Sequence, residues 1–167
     1  MDPFGLCEES RTSDGEDEIT DCERFARFVE ALAGQAESDA EFVELLGEAL
    51  TGLQNGDIFA PIGDPSVFFG ASGFRDVWVD DDNPARHYAA YVVAGFQLGV
   101  AAGTTIAVGR ELPGACRVGC SARDVALGMI GASHGDQLRS VGGLIPPRIN
   151  LFGGMRHKVA AWIRRDL

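Results

Sequence analysis

Lysine is almost absent from this chain: Lys158 is the single example, and every other basic residue is arginine. Fourteen bases stand against 25 acids, a net charge of −11. A generic nucleic-acid binder needs a basic surface to displace counterions, so that class is excluded. Cysteine is sparse as well. Four among 167 residues (Cys7, Cys22, Cys116 and Cys120) do not make a disulfide-held mini-protein. The spacing of Cys116 and Cys120 permits half of a zinc site, but Cys7 and Cys22 supply no ligand-like second pair. A local disulfide or two buried thiols fits the closer pair better. No basic and apolar leader of the secretory type precedes the first polar run. No strand-length alternation, internal repeat or low-complexity tract occurs, which argues against a sheet. No nucleophile elbow, Walker loop, zincin or deaminase motif is present, and no cofactor is assigned.

What is present belongs to a globular domain. Apolar residues make up 46% and charged residues 23%, in a length sufficient for one hydrophobic core. The 22 glycines are about twice the usual share. Charge is unevenly placed: residues 1–57 hold sixteen of the 25 acids and three of the fourteen bases. From Arg139 onward there are six bases and one acid, Asp166. Such an end is expected to meet the acidic half of the same chain or a partner protein. Phosphate or an anionic membrane surface is the alternative.

The local patterns are helical. Residues 8–18 read as a polar junction, so the chain divides into residues 1–17 and a single domain over 18–167. Thr20 and Glu23 form a capping box before Phe25, Phe28, Val29 and Leu32, predicting a helix over about 21–34. Ser38 and Glu41 open a second helix through Leu53, with Asn55-Gly56 as its left-handed stop. Residues 57–82 are broken by Pro and Gly and loaded with Phe59, Phe68, Phe69, Phe74 and Trp78. That reads as a lid, a rim or a packed irregular segment. Asn83-Pro84 starts a long central helix. Within it Tyr88–Gly109 holds no charge, a length able to span a bilayer, although a buried helix with Gly95, Gly99 and Gly103 on a close-packing face explains it better. A shorter helix is expected from Ser121 to near Gly135, then a loop over 139–150. A last amphipathic helix at 155–165 is expected to carry Arg156, Lys158, Arg164 and Arg165 outside. The fold class is all-α, a helical bundle around the Gly-rich central helix.

Asp2-Pro3-Phe4-Gly5-Leu6 resembles the Asp-Pro-x-Gly-Leu signature that closes the shell of Rhs (YD-repeat) proteins. As an ordinary sequence it is also a turn. The resemblance covers five residues. It implies that a variable effector domain, often a toxin, follows an Rhs core, and that Met1 opens a fragment of a longer protein. It also implies self-cleavage at Leu6–Cys7 with Asp2 involved. The implied partners are the YD-repeat shell and a small immunity protein, and delivery to a target cell is the implied route.

A second resemblance is to helical domains at the ends of bacterial toxin-like proteins. Arg86, His87, Tyr88, Gly99, Glu111, Ser121, Asp124, Gly128 and Gly131 carry it, and it names no reaction. Arg110 beside Glu111 and Leu127 after Asp124 depart from that pattern. From the residues themselves, His87 is the candidate general base, with Arg86 to stabilise an anion and Asp76 or His134 to complete the pocket. Glu111 and Asp124 are expected together at the far end of the central helix. A straight helix would hold His87 and Glu111 roughly 36 Å apart, so they share a site only if it breaks, for instance near Gly103 or Gly109. Three classes of function follow: a hydrolytic effector, a membrane-inserting effector using Tyr88–Gly109, or a non-catalytic interaction domain.

Overall fold

Thr20 and Ser38 both end extended backbone, and each hydroxyl accepts the amide N–H three residues on, from Glu23 (3.3 Å) and Glu41 (3.1 Å). These caps start α1 (Asp21–Gln35) and α2 (Asp39–Thr51). The computed structural model describes residues 10–11, 17–54, 57–58, 63–76, 83–110, 122–142 and 155–167. Glu41 reaches back one residue past the cap, its carboxylate accepting from the Glu37 N–H at 2.7 Å. In the first box Glu23 instead turns outward to Arg27 and Arg164. α2 stops at Gly52 with φ of 70°, a left-handed cap, and not at Asn55-Gly56, which lie outside the described residues. Before α1, β1 (Ser10–Arg11) and β2 (Asp17–Glu18) form a two-residue antiparallel ladder within the expected junction.

The expected central helix is two helices. α3 (Pro84–Leu98) opens with the Asn83 side chain accepting the Arg86 N–H, and α4 (Val100–Arg110) follows after one residue. The break is Gly99, at φ 87° and ψ 164°, a conformation essentially restricted to glycine. The chain then folds back. A Cβ on Gly103 would lie 3.3 Å from the Gly95 nitrogen, whereas eight residues along a straight helix span about 12 Å. Tyr88–Gly109 is therefore not one apolar rod, and among the described residues no helix is long and apolar enough to cross a membrane.

α5 runs over Ala122–Gly142, longer than the expected helix and including the first residues of the expected loop. It lies parallel to α3, since Tyr91 meets Gly128, Gly95 meets Ala132 and Gly99 meets Asp136 in step. A Cβ on Gly95 would strike the Ala132 carbonyl, and one on Gly131 would sit 2.7 Å from the Tyr88 carbonyl. The glycines let the two backbones touch, and α4 closes the same seam with Gly103 and Ala107.

α1, α2 and α6 (Arg156–Asp166) make the other part of the core. Phe25 of α1 stands between them and α3, edge-on to Tyr88 at 5.9 Å. The 63–76 segment is a packed irregular piece: Phe69 and Phe74 are buried beside Phe25, while Phe68 is exposed. Ser72 and Asp21 bond each other through side chains and backbone, fixing this segment to the start of α1. Arg156 is buried, contrary to its expected outward position. The Asp39 carboxylate accepts the Met155 and Arg156 N–H groups (3.1 and 3.0 Å), capping α6 from another helix, and Arg156 Nε donates to the Ala33 carbonyl. Cys22 is disulfide-bonded, and Cys7, Cys116 and Cys120 lie outside the described residues.

Candidate functional site

Because α3 and α5 are parallel, their N-terminal ends lie at the same end of the bundle. His87, in the first turn of α3, meets Asp124, in the first turn of α5. His87 Nδ1 is 3.5 Å from Asp124 Oδ1. The carboxylate side chain is 8% exposed and the imidazole 28%, so the acid sits behind the ring and the ring faces outward. Arg86 and Arg123 precede the two partners in sequence. The positive ends of two helix dipoles lie together at this end. A carboxylate beside Nδ1 is the arrangement that orients an imidazole for proton transfer at Nε2.

Asp124 thus stands with His87 at the start of α3, and not at the far end of a continuous helix; its expected pairing with Glu111 falls on a residue outside the described ones. The reason is the break at Gly99, which returns the chain along α4 before α5 begins. Glu111 lies outside the described residues, as do Asp2, Pro3, Gly5 and Leu6. Asp76 is exposed; its neighbour Arg75 donates its backbone N–H to the Leu167 carbonyl at 2.8 Å, at the end of α6.

His134 belongs to a second cluster. It is buried, lies against Trp162 with ring centres 4.8 Å apart, and meets the Tyr88 hydroxyl at Nδ1 (2.9 Å) and Asp166 at Nε2 (3.1 Å). Hydrogen bonds from Arg165 hold the Asp166 carboxyl below its usual range, although partial burial works the other way. Asp166 is therefore an acceptor, Nε2 carries the ring proton, and Nδ1 accepts from Tyr88. Burial depresses proton affinity at His134, and Asp166 only partly offsets it. Full burial keeps the Tyr88 phenol protonated. This chain is internal and satisfied, which suits cohesion better than turnover.

Tyr88 as a polar partner and Asp166 went unread in the sequence. The available signal was Asp166 itself, the single acid in a basic C-terminal stretch. Among the described residues no group of three or more His, Cys, Asp and Glu is placed to hold a metal ion. No protein-family model, curated protein or solved structure matches the chain.

Proposed function

We propose that this is a hydrolytic effector domain of the toxin-like class, carried at the end of an Rhs-type shell and restrained by an immunity protein. Its site is His87, oriented by Asp124. The observation that carries this reading is the pairing of a part-exposed imidazole with a buried carboxylate at the shared N-terminal end of α3 and α5. His87 acts as general base: water adds through its oxygen to a carbonyl or phosphoryl centre while Nε2 takes its proton. The same proton then passes to the leaving group. Arg86 and the positive ends of the two helix dipoles stabilise the negative charge that develops on the attacked centre. Asp124 holds the tautomer and supports the imidazolium.

Expression inside a bacterial cell should arrest growth, and His87→Ala should relieve the arrest while the purified variant keeps its helical circular dichroism and thermal midpoint. Loss of a general base lowers rate by about 10²–10⁴. Asp124→Asn should weaken toxicity in the same direction. A folded His87→Ala protein that remains fully toxic refutes the assignment.

A further inference from the structure

His87 and Tyr88 are neighbours on α3, and each makes a polar link to α5. Gly131 of α5 faces Tyr88 and Tyr91, which fixes the level at which the two helices meet. Asp124 lies seven residues before Gly131, about 10 Å down the axis, and His134 three residues after it, about 4.5 Å up. The link from His87 therefore slants towards the start of α5, and the link from Tyr88 towards its end. A slide of α3 along α5 that shortens one must lengthen the other.

The two links are not equal. The Tyr88 hydroxyl donates to His134 Nδ1 at 2.9 Å, and both side chains are buried. Such a bond is directional and strong, because no water competes for it. His87 Nδ1 is 3.5 Å from Asp124 Oδ1, at the outer limit for a hydrogen bond, and its ring is part exposed. The shorter, buried link sets the register, and the longer one follows. The glycine seam fixes a different quantity: Gly95, Gly131 and Gly135 meet backbone, so they set how closely α3 and α5 approach. His134 is itself pinned from α6. Its Nε2–H donates to Asp166 at 3.1 Å, and its ring lies against Trp162. Arg165 in turn holds the Asp166 carboxylate through Nε at 2.8 Å and Nη2 at 2.6 Å.

We propose that Tyr88, His134 and Asp166 form a brace that sets the spacing of His87 and Asp124, which makes Tyr88 and His134 positioning residues for the site proposed above. The purpose of the brace rests on that reading; the coupling itself does not. Loss of the Tyr88 hydroxyl frees α3 to shift along α5, and the longer His87–Asp124 contact takes up the change. Loss of the Asp166 charge acts one step further back, by holding the His134 ring less tightly.

Nitrogen-resolved NMR of the histidine rings reads the contact at His87 directly. In the wild-type protein at about pH 8, above the ordinary imidazole range, the His87 ring should carry its proton on Nδ1, facing Asp124. Tyr88→Phe removes the hydroxyl and keeps the ring. In that variant the ratio of the Nδ1–H to the Nε2–H form should fall at least about threefold, as a weakened bond to a carboxylate requires. Asp166→Asn, at the part-exposed end of the brace, should lower the ratio in the same direction, and it decides alone if Tyr88→Phe does not fold. Asp39→Asn weakens the fold at the opposite end of α6 and should leave the ratio unchanged. A wild-type His87 protonated on Nε2, a ratio unmoved in Tyr88→Phe (or, failing that variant, in Asp166→Asn), or an equal fall in Asp39→Asn would each overturn the brace. Toxicity plays no part in this readout. A failure of His87→Ala to relieve growth arrest would refute the proposed reaction and leave the brace to stand or fall on the ring nitrogens.

Discussion

Asp39 shows how much one side chain can carry. It opens α2, yet its two oxygens take the first amides of α6, and the Arg156 guanidinium lies 3.6 Å away with both side chains largely buried. α6 has no side-chain cap of its own at Met155, so the start of the last helix depends on a residue 116 positions earlier. Asp39→Ala leaves a buried cation without its counter-charge and two amides without an acceptor. The expected loss is about 3–5 kcal/mol in urea unfolding, the range for breaking a buried ion pair from one side. Asp39→Asn, which keeps acceptor capacity, should cost less.

At the level of helices, Gly99 decides the arrangement. Two short apolar helices folded on each other bury the same letters that a single long helix would, but only the folded form brings Asp124 back to His87. Gly99 itself is not a tight packing point: a Cβ there would meet the end of the Arg139 side chain at 3.0 Å, whereas Gly95 faces backbone. The cost of replacing it is conformational. Gly99→Ala should destabilise by about 1–3 kcal/mol through its positive φ, measured by thermal or urea melts. It should also reduce any activity that depends on the His87–Asp124 pair, because relief of the strain straightens the break. A melt unchanged from wild type would mean that the turn is not held by this residue.

Across the whole molecule the uneven charge is partly resolved within the chain. Arg164, on the basic last helix, donates to Glu23 from both Nε (2.9 Å) and Nη2 (3.2 Å) and also reaches Glu30 at 3.4 Å. The Arg164 hydrogen bond holds the Glu23 carboxyl below the ordinary carboxylate range. A carboxylate lowered in this way stabilises the fold above its unfolded pKa, and that contribution fades as pH falls through the lowered value. Wild type should therefore lose more stability than Glu23→Gln between about pH 5 and 3, and about 1 M salt should narrow the gap, since the pair is partly exposed. Equal acid sensitivity in the two proteins would show that this bridge contributes nothing. On α2 the acid Glu44 lies on the exposed side of the helix, where water screens it.

The helical class and the starts of α1, α2 and α3 were legible in the sequence because they rest on local chemistry. Thr20, Ser38 and Asn83 cap helices whose apolar residues recur at the helical period, and neighbours within four positions carry that information. His87 was legible as a candidate for the same reason, by its residue type and its place at a helix start. Its partner was not. Asp124 reaches it only through the turn at Gly99, and glycine spacing alone does not say whether a helix continues or reverses, since Gly95, Gly99 and Gly103 suit either. The outcome depends on what packs against them. Gly131 and Gly135 of α5 accept the backbone of α3, Gly128 makes room for Tyr91 and Ala107, and Gly103 of α4 fits the same seam. Arg156 was misread for a kindred reason: an arginine on an amphipathic helix belongs in water unless another helix offers Asp39 and a carbonyl where it lands. Local sequence determined where helices begin and which faces are apolar. Tertiary structure decided which polar groups meet, because those meetings balance desolvation against partners far away in the chain.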